Sequence, residues 1–130
     1  MRADLMVQQQ ITGEWQHMVA VMCLNLTTGV QVRRVLPALF KKYPTPQSFI
    51  RGNTRLQKEM IRSLGMYRIR LKRLKRMSRE FLKWDMQDAS DLHGIGKYGS
   101  DSYEIFFKNR IPRGVKDKEL KKYIRRIKCL

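Results

Sequence analysis

The chain has 130 residues and a formal net charge of +17, from 28 Lys and Arg against 11 Asp and Glu. With 42% hydrophobic residues it can bury about two-thirds of the surface its unfolded form exposes, so folding requires no metal or disulfide, and a single compact domain over residues 1–130 is expected. Charge at this density gathers polyanions, which points to nucleic acid or, less often, to an anionic membrane or an assembly rich in RNA.

Two cysteines, Cys23 and Cys129, stand in no C-x-x-C pair, so neither a disulfide framework nor a zinc or redox centre is expected, and a reducing, intracellular compartment fits their use. His17 and His93 have no second ligand at metal spacing. No run of apolar residues approaches the length of a membrane span, and residues 1–30 lack the order of a signal peptide.

In chain order, residues 14–26 place Trp15, Met18, Val19, Met22 and Leu26 on one helical stripe. Val32, Val35, Leu36, Leu39 and Tyr43 repeat it, with Pro37 expected to kink that helix or mark a boundary near its first turns. Residues 53–64 carry Leu56, Met60, Ile61 and Leu64 between a capping Asn or Thr and Gly65. Over residues 66–84 an alternating start (Tyr67, Ile69, Leu71) competes with a helical face of Tyr67, Leu71, Leu74, Met77 or Ser78, and Phe81; the length of that face favours a long helix. Leu92-His93-Gly94-Ile95-Gly96-Lys97 reads as a tight turn opening a helix with Tyr103, Phe106 and Phe107 at core spacing. After a loop at 109–116, Asp117 begins a last helix whose apolar face is Leu120, Tyr123, Ile124 and Ile127. The expected fold is all-α, with six to seven helices and no segment that demands a strand.

Three features could carry chemistry. Residues 68–79 hold seven cations, and residues 108–128 hold ten with only Asp117 and Glu119 among them; such runs are either solvated faces or polyanion contacts, and the net charge favours contact. Gly94-x-Gly96 between two predicted helices is either a plain turn or a hairpin whose amides hold a phosphate at the next helix's N-terminus. Asp117 is a good N-cap, and beside such a hairpin it is also a candidate for catalysis.

The block Leu92-His93-Gly94-Ile95-Gly96-Lys97-Tyr98-Gly99-Ser100-Asp101-Ser102-Tyr103, with Asp117 after it, resembles the helix-hairpin-helix superfamily of DNA glycosylases that includes endonuclease III. Within it the chain is most similar to the glycosylase domain of the methyl-CpG-binding thymine-DNA glycosylases, through Leu64-Gly65-Met66-Tyr67, Lys42-Tyr43-Pro44, Leu24-Asn25-Leu26-Thr27-Thr28-Gly29 and Val7-Gln8.

The resemblance implies that Asp117 is the catalytic aspartate, balancing oxocarbenium charge and orienting or activating water. Tyr98 stands where bifunctional relatives carry a Schiff-base lysine, which implies a monofunctional enzyme. Gln8 would read the polar edge of a flipped thymine or uracil, and Tyr98 would wall that pocket. Met66 matches an apolar wedge, Leu26 takes the place of an inserted arginine, and Gly94, Gly96, Lys97 and Lys118 complete the expected DNA contacts. Lys118 and Glu119 replace a His-Lys pair of the family, no four-cysteine iron–sulfur loop is present, and no cofactor is implied.

The function expected on this footing is base excision from double-stranded DNA by a monomeric domain close to minimal size. Two alternatives stand beside it: a catalytically silent glycosylase fold that binds DNA or serves a ribonucleoprotein, and an enzyme of the same fold that alters a modified pyrimidine without excising it.

Overall fold

The computed structural model describes residues 1–129 and contains seven α-helices with three short 3-10 turns. They are α1 (Glu14–Leu24), α2 (Gly29–Lys42), α3 (Pro46–Arg51), α4 (Thr54–Ile61), α5 (Tyr67–Phe81), α6 (Lys97–Phe107) and α7 (Lys118–Lys128). The all-α expectation holds, and no strand occurs among the described residues.

α1 is the axis of the fold and packs against α2, α5 and α6. Its composition explains the position: Trp15, His17, Met18, Val19, Ala20, Val21 and Cys23 are all buried, so the helix is covered almost all round rather than along one stripe. Each large side chain so buried contributes about 1.5–3 kcal/mol. The Trp15 indole N–H donates to Ser78 Oγ at 2.9 Å, which satisfies its polar edge inside the core. The Cys23 thiol, fully enclosed, is pushed up to about 12 by burial and behaves as a small apolar group.

Several boundaries differ from the periodic reading. α1 stops at Leu24, so Leu26 leaves the stripe and takes a left-handed conformation with φ 60°. Pro37 neither breaks α2 nor sits in its first turns, because it lies on the exposed side of a continuous helix, where water can satisfy the carbonyl it frees. α3 has no apolar period to announce it; Thr45 caps it by accepting from Ser48 N, and Pro46 supplies the first helical φ. Leu56 and Ile127, counted as core from spacing, are 41% and 37% exposed.

The turn between α4 and α5 depends on backbone that few residues adopt. Gly65 has φ 73° and ψ 163°, a region open in practice to glycine alone, and Met66 follows with φ 47° as the N-cap of α5. The hairpin has the same requirement: Gly94 has φ 81°, and a Cβ there would lie 2.6 Å from Met22 Cε of α1.

α7 docks apart from the main core. Leu120 and Ile124 bury against Ile105, with the Phe106 and Tyr123 rings 4.7 Å apart beside them. Tyr98 packs against both this small cluster and the main core.

Candidate active-site cleft

A cleft of about 620 Å3 opens where the N-terminal segment, the α1–α2 turn, α6 and α7 converge. Its wall includes Gln8, Leu26, Tyr98 and Asp117, together with Asn25, Arg33, Glu119 and Arg126. Four expected site residues separated by up to 109 positions therefore share one concavity, of a size suited to a small ligand or a single base.

Gln8 lies in the 3-10 turn Val7–Gln10 and is 2% exposed. The segment before it is tied to α2 by Arg33 Nη2, which donates to the Leu5 carbonyl at 2.7 Å. The Gln8 amide nitrogen donates to Tyr98 Oη at 2.5 Å and to Ser102 Oγ at 3.4 Å. Ser102 Oγ in turn lies 2.9 Å from His17 Nε2. Since an amide N–H only donates, Ser102 accepts from Gln8 and its own hydroxyl proton is free to point at His17. The direction of that contact follows the His17 tautomer, and His17 Nδ1 is a buried atom without a hydrogen-bond partner, in a ring packed near those of Phe106 and Phe107. Burial lowers the pKa of His17 to about 4, so the ring is neutral at physiological pH. No described residue donates to the Gln8 amide oxygen, which remains an unused acceptor.

Tyr98 is in the first turn of α6. Burial above all raises its phenol to about 12, with the Gln8 hydrogen bond opposing and the charges of Asp117 and Glu119 adding to the rise. The last two contributions place both carboxylates electrostatically beside the ring. Asp117 Oδ2 accepts from Leu120 N at 3.0 Å, so the residue is indeed the N-cap of α7. The cap occupies one carboxylate oxygen, and the residue still lines the cleft. Capping and catalysis thus coexist in one side chain.

The other expected contacts lie around the rim. Leu26 is 80% exposed and Met66 is 56% exposed, and both are left-handed non-glycine residues. Exposed apolar side chains held in a costly backbone conformation mark positions where packing is not the purpose. Asn25, beside Leu26, and Arg70, one turn beyond Met66, line the same small recess with Arg73 and Gly94, so the two wedges and the hairpin share one side of the molecule. Gly96 is the N-cap of α6, makes no side-chain cap, and has open space where a Cβ would sit. Lys97 is engaged: its ammonium lies 3.0 Å from the nearly buried Asp101 carboxylate and 3.2 Å from the Arg113 carbonyl, bracing the loop that leads to Asp117. Lys118 is exposed and outside the cleft wall.

Sequence reasoning did not find Arg33, Ser102 or the role of His17. Arg33 sits at a helical position with no motif around it, and a buried Ser–His contact across 85 positions leaves no local signal.

The sequence pattern of the HhH-GPD superfamily base excision DNA repair proteins matches residues 19–130. The chain belongs to that superfamily. It is 34% identical over 103 residues to a methyl-CpG-binding domain protein 4-like protein of Arabidopsis thaliana, covering 79% of this chain and 23% of the relative. A thymine/uracil-DNA glycosylase of Pyrobaculum aerophilum is 28% identical over 93 residues, covering 66% of this chain and 40% of the relative. An endonuclease III solved in a non-covalent DNA complex shares the fold, with a TM-score of 0.67 at 21% identity over 75% of this chain and 50% of that one. The chain therefore spans less than half the length of the curated relatives it matches.

Proposed function

We propose that this superfamily member is a monofunctional DNA glycosylase domain that removes thymine, uracil or a related modified pyrimidine from double-stranded DNA. The observation that carries the reading is the meeting of Gln8, Tyr98 and Asp117 on one cleft, and the thymine/uracil-DNA glycosylase among its relatives points to the same substrate class.

The chemistry follows from the residues. A base inside a duplex is out of reach, so the nucleotide is swung out, at least cost where pairing is already weak. Leu26 and Met66 fill the space it leaves and hold the kink. Amides at the open N-terminus of α6, beyond Gly96, take a backbone phosphate. In the cleft the free Gln8 oxygen accepts from N3–H, which thymine and uracil carry and cytosine lacks. As the glycosidic bond lengthens, positive charge grows on the sugar; the Asp117 carboxylate balances it and takes the proton of the attacking water. The products are the free base and an abasic site.

The absence of a strand-cutting step is supported by what lines the cleft. Lyase chemistry needs an amine to form a Schiff base; the residue at 98 is a phenol that stays protonated, and no lysine is among the described lining residues.

The test uses duplexes carrying G·T, G·U and 5-hydroxymethyluracil, each followed by alkali. Alkali-dependent cleavage that is lost in Asp117→Asn supports the reading. Cleavage without alkali overturns its monofunctional part. No product on any substrate, with duplex still bound, favours the catalytically silent binding subunit, for which Leu26 in place of an arginine is the supporting observation.

A further inference from the structure

The seven cations of α5 do not form one face. Arg68, Lys72, Lys75 and Arg79 recur at i, i+4, i+7 and i+11 and fall within an arc of roughly 60°. Together with Thr54 and Lys58 of α4 they line a groove of about 330 Å3 that contains no carboxylate. Arg70 and Arg73 stand roughly 130–170° further round the helix, in the recess beside Gly94 and Asn25. The buried face of Leu71, Leu74, Met77 and Ser78 borders these two basic flanks.

Lys58, Arg68, Lys72, Lys75 and Arg79 have no ion-pair partner among the described residues, whereas Arg76, on the same helix, pairs with Glu80 at 3.1 Å. Lys75 donates to the Gly52 carbonyl and Thr54 Oγ1, so the first residue of α4 lies beside the later turns of α5. The groove consequently runs from the Met66 end of α5 away from the wedges. Five like charges facing one another repel, and desolvation with the nearby Arg79 depresses the Lys75 pKa. An anion laid along the groove removes that repulsion.

We propose that the α4–α5 groove is a second phosphodiester-binding site, which holds a segment of double-stranded DNA other than the one drawn against the cleft. A helix with its side chains is about 10 Å thick, and the groove and the recess beside Asn25 and Gly94 lie on different flanks of α5, so a short lesion duplex kinked at the wedges reaches the groove only by wrapping round the helix. The stripe from Arg68 to Arg79 extends about 16 Å, the rise of about five base pairs, and its exposed side chains are cationic rather than apolar, which suits a phosphate backbone better than a protein surface. This inference rests on the proposed glycosylase reading only in taking duplex DNA as the polyanion.

The experiment measures affinity for an undamaged 40-base-pair duplex as a function of salt, comparing the full chain with the exposed triple variant Arg68→Gln, Lys72→Gln, Arg79→Gln and with a control of equal charge change on α2, Arg34→Gln, Lys41→Gln, Lys42→Gln. Loss of three phosphate contacts lowers the slope of log K against log salt by about 2–3. That result in the groove variant, a smaller change in the control, and unchanged single-turnover excision from a short lesion duplex are expected. An unchanged slope overturns the site, as does an equal fall in the control. A slope that changes on an RNA hairpin but not on the DNA duplex overturns the choice of DNA. Undamaged DNA makes the readout independent of excision, so a silent cleft and a failed groove are separate results.

Discussion

Gln8 and Tyr98, 90 residues apart, meet at 2.5 Å between the Gln8 amide nitrogen and the Tyr98 hydroxyl. The contact ties the N-terminal segment to the first turn of α6, and through Ser102 it reaches the buried ring of His17. A base-reading amide can rotate by half a turn and exchange its donor for its acceptor. The hydrogen bonds that the Gln8 amide nitrogen donates to Tyr98 and Ser102 fix which end faces the cleft.

Ser102→Ala is therefore expected to weaken base discrimination more than turnover. Removing one hydrogen bond of this kind costs about 1 kcal/mol, so the preference for uracil over cytosine in G-paired duplexes should fall by about fivefold, mostly in KM. Ser102→Thr, which keeps the hydroxyl, should restore it. A Thr variant as indiscriminate as the Ala variant would show that Ser102 serves packing alone.

His17 links pH to stability. Its folded pKa of about 4 lies below the ordinary histidine value of 6.5, so between these values the unfolded chain binds the extra proton. The stability it contributes is complete above pH 6.5 and is lost as pH falls toward 4, a change of about 3 kcal/mol across that window. Denaturant unfolding of the protein and of His17→Gln at pH 7.5 and 4.5 gives the measurement: the variant should lose less stability on acidification, and equal losses would contradict the assignment.

Asp117 has two roles that substitutions can separate. Asparagine caps a helix as well as aspartate does, whereas alanine costs about 1 kcal/mol. Asp117→Asn should keep the unfolding midpoint and lower single-turnover excision by about 10²–10⁴-fold. Asp117→Ala should lose as much activity and some stability as well. Retained activity in the Asn variant would remove Asp117 from the chemistry.

Leu26 and Met66 should show stability and function moving in opposite directions. A left-handed conformation costs an ordinary residue about 1–2 kcal/mol, and glycine is free of that cost but loses more entropy on folding. Leu26→Gly and Met66→Gly are expected to melt at or slightly above the parent temperature while excision drops by about tenfold or more, because unstacking of a few kcal/mol goes uncompensated. Loss of stability in either variant would mean that its side chain packs against the fold.

The helices that carry long apolar faces, α2, α4, α5 and α7, were legible because burial of one face imposes a period on the residues. The short α3 was not, since its six residues are set by Thr45 capping and Pro46. Leu26 was misplaced on α1 for a related reason: apolar spacing continues past Leu24, but the left-handed residue ends the helix and turns the side chain outward.

The hairpin glycines and the basic excess can be read in the linear chain, because tight turns and polyanion binding demand particular side chains at short range, whereas the site residues are reached through the resemblance of their motifs to the glycosylase family. Their convergence cannot be read there. Gln8, Leu26, Tyr98 and Asp117 come from four separate elements, and only the packing of α6 and α7 beside α1 and the N-terminal segment closes them around one cleft. The same packing gives His17 and Ser102 their place beneath Gln8 and divides the cations of α5 between two flanks. Contacts across 80 residues or more leave no periodic trace, since the chain between them is free to carry any sequence that folds.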